Sequence, residues 1–346
     1  MKTHSMWLAV MLCSASPALV ASDAERIVGT ATLELQNAAN GRKVVSELWF
    51  EAATGAKVQD YSPRAPLRAI SIARGANPST AHGKRPLVVI SHGNWGSRYS
   101  QGWLALHLVR SGYVVLSTSH PGTLGDDQTA AGRYRLWDRS RDVSFALDEA
   151  LKDPRGSALI DERRIAFVGH SFGGWTGVSL AGATYDPAQQ RRWCDKSAQK
   201  DFYCEGTLKD DVASITHDDA GVSFKDTRFK AFYIMASGPA QGFVVESLKS
   251  IDVPFVVDTA RFDEILEPEA NSSTLARHIR GAKQIVRPVG HFAYVPECRP
   301  VIGPLLAKVA GVPLCDDPKG VDRAAVHRQL ARDVTEFLDR VLSRSL

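Results

Sequence analysis

The stretch that most constrains this chain is RIAFVGHSFGGWTG, residues 164–177. Arg164 to Val168 form a short apolar run of the length expected for a buried strand, and Gly169-His170-Ser171-Phe172-Gly173 follows at once in the pattern G-x-S-x-G. A strand that turns so sharply into a helix lifts a serine hydroxyl above the carboxyl edge of a parallel sheet, where a substrate can reach it. Glycine is needed on both sides of Ser171, because the backbone segments of such a turn pack too closely for a Cβ. The motif is short enough to arise by chance; its position between strand and helix gives it weight.

The rest of the chain supplies the sheet that this turn requires. Ile27 to Leu35 and Val44 to Phe50 alternate as an antiparallel strand pair with Asn40-Gly41 in the connection, and Leu67 to Ala73 reads as a third strand. Beyond a Gly/Asn/Pro/Ser loop the pattern becomes strand then helix. Leu87 to Ser91, Tyr113 to Ser117 and Ile165 to Val168 are strands, with helices at Tyr99 to Arg110, Leu136 to Leu151 and Ser171 to about Ala183. Continuous Val/Ile runs mark strands buried on both faces, hence an α/β fold with a mostly parallel central sheet and helices on each side. Phe229 to Ala236, Pro254 to Asp258 and Lys283 to Arg287 continue the strands. Val326, Leu330, Val334, Phe337, Leu338 and Val341 recur at helical spacing and form a closing helix. Residues 185–228 are polar and lack a clear period, so they read as a lid-like insertion over the carboxyl edge. Residues 22–346 are expected to form one domain carrying that insertion.

A serine hydroxyl attacks well only when a base removes its proton, and the base needs a carboxylate to orient it. Two loops after Ser171 offer these groups in the order Ser, acid, His. The strand from Pro254 runs into Thr259-Ala260-Arg261-Phe262-Asp263-Glu264, and the strand ending near Val286 runs into Pro288-Val289-Gly290-His291-Phe292. His291 is the expected base. Asp263 is the first choice of acid and Asp258 the reserve, among Glu264, Glu267 and Glu269 that read as solvated. The negative oxygen formed on a carbonyl needs two N–H donors. One is expected from Phe172, at the positive end of the helix after Ser171. The other is expected from the glycine-rich loop His92 to Ser97, with Asn94 N–H preferred and Trp95 in reserve.

Other polar groups read as structural. His120, after a strand, is taken as a structural or supporting histidine, and Asp138 and Asp142 as helix-surface partners of Arg139 and Arg141. Trp95, Trp103 and Trp175 are candidates for the wall of an acyl pocket or for the core. Asn271-Ser272-Ser273 is a formal glycosylation sequon of little weight.

Composition narrows the setting. With 346 residues, 44% hydrophobic, 23% charged and a net charge of only +4 spread over the chain, nothing favours a nucleic-acid partner. Lys2, an apolar segment from Met6 to about Ala15 and small residues ending Ala18-Leu19-Val20-Ala21 form the three parts of a secretory signal peptide over residues 1–21, too short to span a bilayer. Cleavage near Ala21 or Ser22 removes Cys13 and leaves four cysteines for a secreted or periplasmic, oxidising compartment. Local pairing, Cys194 with Cys204 and Cys298 with Cys315, is preferred among three connectivities, and the spacings do not match a metal site.

SHGNWG, VGHSFGGWTG, RFDEILEP and PVGHFAYVPEC together resemble the α/β-hydrolase superfamily, and within it the dienelactone hydrolases and platelet-activating-factor acetylhydrolase-like secreted esterases. The resemblance covers most of the mature chain. It implies an α/β-hydrolase fold and a cofactor-free serine hydrolase acting through an acyl-enzyme on a small-molecule or lipid-like carboxylic ester. Dienelactone hydrolase itself uses a cysteine nucleophile where this chain has Ser171, so its lactone chemistry does not carry over. Amide cleavage or acyl transfer by the same residues, and a non-catalytic binding protein of the same fold, are the alternatives; the acyl group and the oligomeric state have no signature in the sequence.

Overall fold

The computed structural model describes residues 26–343 except Pro63, 197–200, Phe202, 206–218, Ala220, Ala310 and Val312. The expected leader at residues 1–21 lies outside the described residues. Strand β1 (Val28–Gln36) pairs antiparallel with β2 (Lys43–Glu51) over their whole length, Val28 opposite Glu51 and Gln36 opposite Lys43. The connection turns at Gly41, whose φ of 70° is available to glycine at little cost. The expected third strand is shorter than its apolar run: β4 is Ile70–Arg74, because Leu67 instead bridges to Cys298. A small exposed strand, β3 (Gln59–Tyr61), pairs with β4 and has no apolar pattern by which to find it.

The strands that read as continuous apolar runs form the middle of the sheet. They are β5 (Arg85–Ser91), β6 (Val114–Thr118), β7 (Ile160–His170), β8 (Phe229–Met235), β9 (Phe255–Ala260) and β10 (Lys283–Arg287). The ten strands lie in the order β10-β9-β8-β7-β5-β6-β2-β1-β4-β3, and β5 through β10 are mutually parallel. Side chains at 87–90, 114–116 and 165–168 are all buried, as burial on both faces demands.

Helices cover both faces in chain order. They are α1 (Gly102–Arg110), α2 (Ala130–Tyr134), α3 (Trp137–Lys152), α4 (Pro154–Leu159), α5 (Phe172–Leu180), α6 (Pro187–Lys196), α7 (Val245–Lys249), α8 (Ser272–His278), α9 (Ile302–Val309) and α10 (Arg323–Leu342). Leu136, Val143, Ala146, Leu147 and Ala150 of α3 and its start join Trp175 and Val178 of α5 in one core. Leu104, Leu108, Leu330, Val334 and Leu338, from α1 and α10, join the other. This is the α/β-hydrolase fold, with the antiparallel pair added at one end of the parallel strands.

Residues 185–228 begin with a bridge from Tyr185 to Phe243 and continue through α6. The Cys194–Cys204 disulfide spans ten residues there, and Cys298–Cys315 closes a second loop beyond His291. Both preferred pairings are the ones formed, with Cα atoms 5.3 and 5.8 Å apart.

Candidate active site

From β5 the chain moves to β6 on one side, and then returns to β7 on the other. The carboxyl ends of β5 and β7 thus border a crevice at the point where the strand order reverses, the usual position for a ligand in an open parallel sheet. Ser171 stands at the end of β7 and the loop 92–97 at the end of β5.

Ser171 has φ 57° and ψ −120°, a strained conformation outside the helix that starts at Phe172. Its N–H donates to the Met235 carbonyl at 2.9 Å, which ties the turn to the neighbouring strand β8. A Cβ on Gly169 would stand 2.2 Å from the Gly173 carbonyl oxygen, and one on Gly173 would stand 1.9 Å from the Ser91 carbonyl oxygen. The two glycines of G-x-S-x-G are therefore fixed by crowding. Phe172 opens α5, so its N–H belongs to the first helical turn, which has no partner within the helix.

His291 opens a single 3-10 turn, His291–Tyr294, just beyond β10. Its Nε2 lies 3.1 Å from Ser171 Oγ and its Nδ1 2.8 Å from Asp263 Oδ2. Since a carboxylate only accepts, the imidazole proton sits on Nδ1 and Nε2 faces the serine hydroxyl as an acceptor. The ring is clamped from the back as well. The His291 N–H donates to Glu264 Oε2 at 2.9 Å, and the His291 carbonyl accepts from His170 Nε2 at 3.0 Å. Burial would lower the His291 pKa, but the charge and hydrogen bond of Asp263, with Glu264 and Asp201 behind it, outweigh burial and raise it above the ordinary imidazole value. His170 goes the other way: burial and then the neighbouring His291 hold it well below that value, so it stays neutral.

Asp263 is held by its own loop. Its Oδ1 accepts the N–H groups of Ile265 at 2.9 Å and Leu266 at 2.8 Å, leaving Oδ2 for His291. Asp258, the reserve acid, is elsewhere: it accepts from Tyr233 at 2.7 Å, Tyr294 at 2.9 Å and Arg287 Nε at 2.8 Å, and does not meet His291. Arg287 in turn reaches Asp333 of α10, so this buried cluster fastens the sheet to the closing helix. Glu264 reads as one more solvated acid in the sequence, yet it is the clamp on the His291 backbone; a carboxylate beside Asp263 carries no pattern that separates the two roles.

The loop after β5 lies directly on the serine. A Cβ on Gly93 would come within 2.9 Å of Ser171 Cβ. Trp95 N–H is spent on the Thr123 carbonyl at 2.9 Å, so the reserve oxyanion donor is withdrawn, whereas Asn94 N–H and Phe172 N–H have no partner among the described residues. The tryptophans separate by environment: Trp175 is buried against Phe243 and Tyr185, Trp103 stacks on His327, and Trp95 is 44% exposed beside Asn94.

One further sequence expectation changes. Arg139 and Asp142 are buried rather than paired on the helix surface, because their side of α3 packs under the β5 loop; only Asp138 keeps surface pairing, with Arg135 and Arg141. Asn271, the sequon residue, is also buried, its side chain engaged by Asp201, Ala240 and Glu267.

The fold and the arrangement at its carboxyl edge define an α/β-hydrolase-fold protein with a serine, histidine and aspartate in one hydrogen-bonded line. No family model matches the sequence, and no curated protein matches it. Among solved structures the chain is similar to a ferulic acid esterase from Streptomyces cinnamoneus, with 20% identity and a TM-score of 0.59 over 94% of this chain and 92% of that one.

Proposed function

We propose that this protein is a serine hydrolase that cleaves carboxylic esters through an acyl-enzyme. The observation that carries the reading is the line Ser171 Oγ, His291 Nε2, His291 Nδ1, Asp263 Oδ2, with steps of 3.1 and 2.8 Å. In this reading Ser171 Oγ bonds to the ester carbonyl carbon as its proton passes to His291 Nε2, and the carbonyl π pair moves onto oxygen. Asn94 N–H and Phe172 N–H donate hydrogen bonds to that oxyanion. Collapse breaks the bond to the alkoxy oxygen, which takes the proton from His291 and leaves as the alcohol. Water then repeats the sequence on the acyl-serine and releases the acid.

The esterase of the same fold supports ester chemistry, and SHGNWG, VGHSFGGWTG, RFDEILEP and PVGHFAYVPEC together resemble the dienelactone hydrolase and platelet-activating-factor acetylhydrolase-like esterases. Two disulfides and the three-part leader support a secreted or periplasmic location, and no described helix is long and apolar enough to cross a membrane. Residues 185–228 are assigned the lid role. Turnover of p-nitrophenyl acetate by the wild-type protein and by Ser171→Ala tests the assignment. Loss of at least a thousandfold in kcat is expected, given the effect of removing such a nucleophile. Equal turnover would overturn it.

A further inference from the structure

Beneath the loop 92–97 lies a buried set of ionisable side chains that takes no part in the reaction above. It consists of Arg139 from α3, His92 at the end of β5, His120 after β6, and Asp142 from α3, with Arg42 closing it from the β1–β2 connection. Ser91, His120 and Asp142 even form a hydrogen-bonded line like that of a nucleophilic triad, at 2.9 and 3.1 Å. All three side chains are fully buried, so no carbonyl can reach Ser91, and the set must act through its neighbours.

Those neighbours are the peptide groups that set the direction of Asn94 N–H. Arg139 Nη2 donates to the His92 carbonyl. His92 Nδ1 donates to the Gly93 carbonyl at 2.6 Å, and Gly96 N–H reaches the same oxygen at 3.2 Å. Because a trans peptide holds its C=O and N–H antiparallel, fixing the Gly93 carbonyl fixes the Asn94 N–H on the opposite side. The His92 tautomer is set as well, since Nε2 accepts the His120 N–H at 3.2 Å. Burial, with Arg139 and His120 nearby, holds His92 well below the ordinary imidazole pKa, so this tautomer is the neutral one.

We propose that Arg139 and His92 are positioning residues that hold the Asn94 N–H in the orientation that binds the oxyanion. The proposal rests on the ester-hydrolase reading. Arg139 donates to Thr176 Oγ1 at 3.2 Å, Thr123 Oγ1 at 2.6 Å, Ser91 Oγ at 3.3 Å and the His92 carbonyl, none of which carries a formal charge. Burying a cation against neutral oxygens is costly, and burial pulls its pKa down to about 9, yet it remains charged at neutral pH. A methionine would fill that space without the cost. The guanidinium is suited to grip several loop oxygens at once, on β5, on the 92–97 loop and on α5, with its own planar fork. Its Cζ atom also lies 5.9 Å from the ring centroid of Phe172, whose N–H is the other proposed donor.

The test compares full-length mature protein with Arg139→Met, His92→Asn and His92→Gln. Asparagine places its amide nitrogen near the position of Nδ1 and keeps the bond to the Gly93 carbonyl; glutamine mimics Nε2 and loses it. Active sites are counted by mass shift with a fluorophosphonate, so that kcat is expressed per intact site. A misplacement of about 1 Å near the chemistry costs about 10²-fold, and that loss in kcat is expected for Arg139→Met, with KM within about twofold. His92→Gln should lose about tenfold or more, since Gly96 still holds the carbonyl, and His92→Asn should recover most of it. Affinity for a trifluoromethyl ketone, whose serine adduct carries the oxyanion, should fall in parallel with kcat/KM. A merely structural role would reduce the number of intact sites and leave kcat per site and the ketone affinity unchanged, which overturns the proposal. If Arg139→Met does not fold, the two His92 variants decide. Should wild type itself show no Ser171-dependent turnover, the ester-hydrolase reading falls, an outcome distinct from equal kcat per site among active variants.

Discussion

Replacing Asp263 with asparagine separates its two oxygens by function. Oδ1 already accepts two backbone N–H groups, from Ile265 and Leu266, and Oδ2 alone faces His291 Nδ1. An asparagine has one oxygen, and leaving two loop N–H groups unsatisfied in a nearly buried site costs about 1–3 kcal/mol each. The oxygen therefore stays with the loop and the amide NH2 turns toward His291. Facing a donor, the imidazole must present Nδ1 as acceptor and carry its proton on Nε2, where it can no longer receive the Ser171 proton. A triad locked in the wrong tautomer loses about 10⁴ in kcat, and a loss of at least about 10³ is expected here with the folding free energy almost unchanged. The assay pairs kcat for p-nitrophenyl acetate with urea unfolding of the same preparation. A kcat within tenfold of wild type, with unchanged stability, would refute the tautomer argument. The opposite rotamer would show instead as lower stability with most activity kept.

The remaining expectations use different readouts. With its pKa raised by Asp263, His291 becomes protonated and inactive as pH falls through a value above 6.5, so the acid limb of kcat/KM should have its midpoint there and move to lower pH in Asp263→Asn; a midpoint below 6.5 in wild type would contradict the coupling. Asp258→Ala should leave kcat per active site within about threefold but lower unfolding free energy by about 3 kcal/mol, as expected when one partner of a buried ion pair is removed. Disulfides closing loops of ten and seventeen residues contribute about 3 kcal/mol each on chain-entropy grounds, so reduction should lower the urea midpoint, and an unchanged midpoint would mean that neither loop is constrained by its bridge.

What the sequence discloses here follows physical type. The parallel strands are legible because burial on both faces forces unbroken apolar runs, and Lys283–Arg287 begins and ends where its pattern does. Ser171 and His291 are legible because the turns that carry them need glycine at fixed places. Asp263 and Asp258 are less so: each lies at or beyond β9 in an acidic stretch, and their roles differ only through the partners that folding brings, Ile265 and His291 for one, Tyr233 and Arg287 for the other. The set around Arg139 is hidden for a further reason. Arg139 and Asp142 sit three residues apart on a helix amid other charges, and that spacing reads as an exposed pair unless the loop packed over them is known. His92 and His120 each follow a strand, which marks a position near the carboxyl edge but neither the Gly93 carbonyl that His92 grips nor the Ser91 and Asp142 side chains that hold His120.

Incubation with a fluorophosphonate followed by intact-mass and peptide mass spectrometry asks whether Ser171 is the nucleophile and His291 its base. One phosphonyl adduct per chain is expected, on Ser171, with labelling abolished in Ser171→Ala and strongly slowed in His291→Ala. An adduct on another residue, or equal labelling of the Ser171→Ala protein, would contradict this assignment.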